Sequence, residues 1–472
     1  MVVAEMLVLV ACVAQFLVVL DVSIVNVALP SMEVALGLDK AGAQWVVNAY
    51  VLVFAGFLLV GGRLADLLGL RGVFLAGLVV FTAASLIGGA ATDAAVVIAS
   101  RAGQGLGAAV LAPATVTMLT TTVPEGPRRH RALAVWTAVG LAGGTMGNLV
   151  GGLLTEFLSW RWVFLGNVPA GILALLLGLR ALPRGHTPRR RRPVDLPGAV
   201  LATSGLSALA YAVVRWGSPG GNSPSTWVAL AVAAGAFAAF AVVEVRFARV
   251  PLLPPSLLGI RSVVRGNVVL LLVGACLNPM WYFLTFTMRD VLGFGPLLTG
   301  LGFLPHTVLT IVVGVWLTPK LMRVVEPRTL VVTGAAVAAA GFAWQSGLDA
   351  GTEYLAGILG PAILISLGGG LLNTPVTVLA TSGVPADDAG AASGLLNTTK
   401  QVGGALGLAA LVAVSGSASH GGTPIAEGYA LAFLIMAVLL VATACYALLL
   451  PRSVSVATAG GVRARVADDR RG

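Results

Sequence analysis

MLVLVACVAQFLVVLDVSIVNVAL, residues 6–29, is an apolar run of 24 residues holding a single charge, Asp21. A helix of roughly 20 apolar residues spans the hydrocarbon core of a bilayer. A secretory leader would show a basic start, a shorter apolar core and a small-residue cleavage site. Here Glu5 precedes the run, no Lys or Arg does, and Pro30 follows it. The stretch is therefore read as a first transmembrane helix.

Working outward, the same texture repeats along all 472 residues. Hydrophobic residues make up 57% of the chain and charged residues 10%, against about 25% charged in a soluble domain. Mean hydropathy is +0.95. About fourteen apolar blocks are expected, near 6–29, 44–61, 73–91, 95–120, 132–154, 161–181, 196–215, 227–245, 266–288, 297–317, 329–347, 355–380, 391–414 and 428–450. Cys12, Cys276 and Cys445 all lie within blocks and lack metal-ligand spacing, which argues against a zinc site or a disulfide framework.

The net charge of +10 does not imply nucleic acid once its distribution is followed. With the amino terminus in the cytoplasm, predicted cytoplasmic segments hold 23 of the 29 Lys and Arg. The run Arg189–Arg192 and the tail arginines are among them. Predicted outer segments hold only Lys40, Arg161, Arg215 and Arg289, and two basic residues sit inside blocks. Basic residues are retained on the cytoplasmic side, so both termini are expected there, in a multi-pass protein of the cell membrane. The tail 451–472 is polar and is expected to be disordered.

Ionisable groups at membrane depth mark candidate sites because they are costly to place there. Asp21, Arg101 and Lys400 lie well inside blocks, while Glu244 lies near a helix end. His306 reads as a packing residue. Asp21 and Arg101 together suggest a carboxylate tuned by a guanidinium. A static ion pair and a titrating pair remain equally compatible with the residues. The loop from Gly62 to Arg71, with Asp66 and Gly69, reads as a tight hairpin or an inside gate. Gly140, Gly143, Gly144, Gly147, Gly151 and Gly152 give the fifth block a smooth face for close helix packing or for sliding. No phosphate loop, metal set or nucleophilic triad is recognisable, so energy for active transport would come from an ion gradient or another protein.

Five segments carry a resemblance. They are Leu20–Pro30, the Gly62–Arg71 loop, Arg101 with Gln104 and Gly105, Trp160–Phe164 with Asn167–Gly171, and Gly390–Gln401 with Gly403 and Gly404. In this order, from about 20 to 410, the chain resembles the fourteen-helix drug:proton antiporters of the major facilitator superfamily. The resemblance implies an all-α fold of two six-helix bundles, 1–195 and 246–450, with linking helices in 196–245. It implies proton coupling at Asp21 and Arg101, an inside gate at Gly62, Asp66, Gly69 and Arg71, and an antiporter helix at Gly143, Gly147, Asn148, Gly151 and Gly152. Leu67, Leu70, Asn148 and Lys400 depart from the family pattern, which has basic residues at the first two positions, proline at the third and arginine at the fourth.

The reading is a proton-coupled exporter of small apolar or amphiphilic compounds, of the drug or antibiotic kind, and not an enzyme. No cofactor is expected beyond the proton. A small molecule and the bilayer are the expected partners, nucleic acid is not, and the state expected is monomeric. Candidate cavity residues are Asn26, Gln104, Asn278, Trp281, Tyr282, Asn373, Asn397, Lys400 and Gln401. A metabolite symporter, or a siderophore or lipid exporter, would use the same fold. A non-transporting sensor or scaffold is the remote alternative.

Overall fold

The computed structural model describes all residues except 1, 124–126, 183–194, 217–220, 249–250, 252–254, 350, 385–388, 420–424 and 451–472. The basic run Arg189–Arg192 and the tail fall outside the described residues. Among the described residues there is no strand, and twelve segments are long and apolar enough to cross a membrane.

These are α1 (Val2–Leu36), α2 (Lys40–Leu68), α3 (Leu70–Ala90), α4 (Ala94–Thr122), α5 (Pro127–Phe157), α6 (Trp162–Ala181), α7 (Leu196–Trp216) and α8 (Pro224–Phe247) in the first part. The later part has α9 (Arg261–Val291), α10 (Pro296–Leu321), α12 (Leu355–Ala380) and α14 (Ile425–Ala447). Two further helices, α11 (Pro327–Gln345) and α13 (Ala389–Ser419), bring the long helices among the described residues to fourteen. Arg328 and Gln345 dilute the first, and Asn397 to Gln401 the second. The helices overrun the apolar blocks because backbone hydrogen bonding continues into the interfacial layers, where side chains become polar.

Arg265, early in α9, and Arg328, at the start of α11, donate to the Leu449 and Leu450 carbonyls just past α14, so these helix ends gather at one end of the molecule. We call this the near end and the opposite one the far end. Helices α1 and α5 pack together, as α9 and α13 do; α3 and α4 are matched by α11 and α12. The second half thus repeats the packing of the first. Helix α7 lies against α2 and α13, with α8 outside it.

Backbones approach closely where glycine replaces a side chain. A methyl group at Gly105 of α4 would sit 2.5 Å from the Tyr50 carbonyl of α2. Between α2 and α3 the chain turns at Gly69, with φ +84° and ψ 137°, a region essentially restricted to glycine.

The halves meet at the far end. Lys40 Nζ lies 3.1 Å from Glu33 on α1 and 3.2 Å from Asp290 on α9. Tyr282 donates its hydroxyl to the Lys40 carbonyl. The Leu297 amide of α10 donates to Glu156 of α5. At greater depth, Asn48 donates to the Ala405 carbonyl, and Thr398 to that of Ala55.

Candidate coupling and binding sites

Asp21 sits in the middle of α1 with no solvent exposure, and Arg101, on α4, is 2% exposed. Arg101 Nη1 donates to Asp21 Oδ2 at 2.5 Å. The other carboxylate oxygen accepts from Gln104 Nε2 at 2.8 Å and Asn167 Nδ2 at 2.7 Å. Arg101 also donates to the Val46 carbonyl at 3.1 Å and to Gln104 Oε1 at 2.9 Å. Its guanidinium lies 4.4 Å from the ring centroid of Tyr50. Gln104 Nε2 donates to Ser85 Oγ, which in turn donates to the Phe81 carbonyl. The carboxylate is thus held directly from α4 and α6, and through Arg101 and Gln104 it is tied to α2 and α3. A buried ion pair persists only when its remaining donors and acceptors are met, and this one is enclosed by them.

The glycine face of α5 divides between two partners. A methyl group at Gly143 would come 3.0 Å from the Phe16 carbonyl, and one at Gly147 would come 2.6 Å from Ser23 Cβ. At Gly151 it would meet the Ile24 carbonyl at 2.7 Å. All three neighbours belong to α1. At Gly152 the neighbour is instead the Pro296 carbonyl at 2.7 Å, on α10 of the second half. Asn148 is buried and its carbonyl faces Gly300 of α10. Helix α5 runs unbroken through Asn148, as expected of a residue that keeps the amide hydrogen proline lacks.

In the α2–α3 hairpin, Arg71 donates to the carbonyls of Leu182 and Leu179, the latter at 2.9 Å. It thus ties the start of α3 to the end of α6, completing carbonyls that a helix end leaves open. Gly62 and Asp66 lie on α2, and their side-chain surroundings fall outside the described residues.

The expected cavity residues separate into groups. Gln104 is fully buried with both amide atoms engaged in the Asp21 cluster, so it lines no cavity. Tyr282 is 3% exposed and closes the far end. Asn26 is nearly buried and donates to the Val22 carbonyl of its own helix. Asn278 donates to Gln401 at 3.3 Å, and Lys400 donates to Asn373 at 3.0 Å, which gathers α9, α12 and α13 around one polar cluster. Asn397 and Asn373 are exposed. Trp281 packs against Phe303 and the edge of His306, with 5.1 Å between centroids in each case. His306 is buried and bonded to Ser366 Oγ at 2.8 Å.

A family model described as Major Facilitator Superfamily matches residues 11–408. The chain belongs to that superfamily. It is similar to the cephamycin export protein CmcT of Amycolatopsis lactamdurans, 54% identical over 93% of this chain and 91% of that protein. It is also similar to the puromycin resistance protein pur8 of Streptomyces alboniger, 41% identical over 92% of this chain and 89% of that one. The lincomycin resistance protein of Streptomyces lincolnensis is 34% identical, over 89% and 86% respectively. Among solved structures, an auto-inhibited POT family peptide transporter shares the fold. It has a TM-score of 0.66 and 18% identity, covering 93% of this chain and 96% of that one. The protein is accordingly a multi-pass membrane member of the major facilitator superfamily.

Within this facilitator fold, three participants in the charge cluster carried no signal of their own. Tyr50, Ser85 and Asn167 are neutral, and neutral polar residues are scattered through every span. Asn167 was visible only as part of a motif. The far-end group Glu33, Lys40 and Asp290 was also hidden, because its members lie in loops or at helix ends, and Lys40 and Asp290 are 250 positions apart.

Proposed function

We propose that this protein exports antibiotic-like small molecules in exchange for protons, by alternating access between its two halves. The observation that carries the reading is the enclosed Asp21–Arg101 pair, a protonatable group at membrane depth. Similarity to the cephamycin exporter and the puromycin and lincomycin resistance proteins supports the choice of cargo. In this reading the near end faces the cytoplasm, and the far-end contacts close the outside.

A proton on Asp21 cancels its charge and weakens its bond to Arg101. The guanidinium then keeps the Val46 carbonyl, Gln104 and the Tyr50 ring. Because Val46 and Tyr50 belong to α2, the loss is felt by a helix that also borders the second half through Asn48 and Ala55. Proton binding thereby biases the packing of α1 and α4 against α2, and cargo biases it the other way. Each ligand acts only through its differential affinity for the two states.

The test uses purified protein in liposomes containing a pH-sensitive dye, with a proton gradient imposed. Candidate antibiotics should trigger proton movement in the wild type and none in Asp21→Asn. Undiminished flux in Asp21→Asn would move the coupling site elsewhere.

A further inference from the structure

Lys400 stands apart from the other membrane-depth charges. Asp21 and Arg101 neutralise one another, whereas the Lys400 ammonium has no carboxylate within ion-pair distance among the described residues. It lies eleven positions into α13, about 16 Å along the helix axis at 1.5 Å per residue. Its polar contact is the side-chain amide oxygen of Asn373, Oδ1, a neutral acceptor, at 3.0 Å. An ammonium has three donors, so two remain for other partners. Asn373 is exposed and Lys400 partly so. A charge facing acyl chains at this depth would be severely penalised, which argues that the exposed side of the pair faces away from the lipid.

The surroundings complete a recognition surface. Asn278 and Gln401 bond to each other beside Lys400, supplying amide groups from α9 and α13. One turn beyond Asn278, Trp281 packs on Phe303 and His306 and adds aromatic surface. Helix α13 also carries Thr398, which bonds across to the Ala55 carbonyl of α2. A ligand held at Lys400 therefore rests on a helix that touches the other half.

We propose that Lys400, with Asn373 holding its ammonium, is the docking point for a carboxylate on the transported molecule. This rests on the export reading and narrows its cargo to apolar compounds bearing a carboxylate. The carboxylate takes the two open donors and supplies the missing negative charge. A neutral ester of the same compound offers a weaker acceptor and leaves the ammonium uncompensated.

The experiment uses full-length protein in liposomes and a panel of lipophilic β-lactams, cefoxitin among them. Each compound is supplied both as its free acid and as its methyl ester. Half-saturating concentrations for transport are compared between the two forms. In the wild type the acids should be favoured about tenfold or more, the scale of a charge-assisted hydrogen bond. Lys400→Gln should abolish that preference, and Lys400→Arg should retain it. Asn373→Asp, which places a competing carboxylate against Nζ, should also abolish it, in a protein whose charge at the site is balanced. Equal handling of acids and esters by the wild type, or a preference that survives both Lys400→Gln and Asn373→Asp, overturns the assignment and leaves export standing. Transport of neither form of any pair overturns both.

Discussion

At the residue scale, the Asp21–Arg101 pair makes an energetic prediction independent of transport. Removing one member of a buried pair strands the other, at a cost of about 3–5 kcal/mol. Asp21→Ala should therefore lower thermal stability sharply. The double variant Asp21→Ala/Arg101→Met should recover much of the loss, because no uncompensated charge remains. Unfolding curves in one detergent would show this as strong coupling, and additive losses would contradict it. Arg101→Lys should also destabilise. An ammonium cannot bridge Asp21, Gln104 and the Val46 carbonyl with the fixed fork that guanidinium supplies. Both charges were legible in the sequence because an acid or a base stands out against an apolar span. Gln104 and Tyr282 were legible as polar, but not as engaged. Their partners come from other helices, and only packing decides whether a side chain faces a cavity or a neighbour.

At the scale of elements, α5 presents two kinds of glycine. Gly143, Gly147 and Gly151 face α1 within the same half. Valine at Gly147 should cost stability, because backbone of α1 lies within 2.9 Å of the new Cβ and cannot yield as a side-chain end would. Gly152 faces α10 across the halves, so Gly152→Val should chiefly disfavour the arrangement in which they touch there. Spin labels at Ser159, just past the end of α5, and at Asp349, just past the end of α11, should report longer distances in Gly152→Val and unchanged ones in Gly147→Val. The glycine stripe itself was plain from spacing alone. Its division between two partners was not, since adjacent positions 151 and 152 differ only by the 100° turn between consecutive helical residues. Helix number was readable because apolar length is a local property of the sequence, and α11 and α13, diluted by polar residues, carry the weakest signal of it.

For the whole molecule, the far-end contacts set how firmly the halves are joined. Lys40 is 39% exposed, and its links to Glu33 and Asp290 are of the partly solvated kind, worth about 0.2–1 kcal/mol each. Lys40→Ala should shift the balance between the two arrangements by about 2- to 30-fold, and high salt should mimic part of that shift in the wild type. The same distance measurement, made with and without 1 M salt, would register it. A latch of this strength suits a molecule that must release it in every cycle.

The placement of α7 has a consequence for how lipid-dissolved compounds gain entry. Two seams run between the halves, one where α2 meets α13 and one where α5 meets α10. Helix α7 stands over the first, filling it with Leu206, Ala210 and Val214 against Leu52, Ala405 and Ala409, while Thr203 presses on Gly56. Sideways entry from the membrane is thus obstructed along the α2–α13 seam, on one flank of the protein.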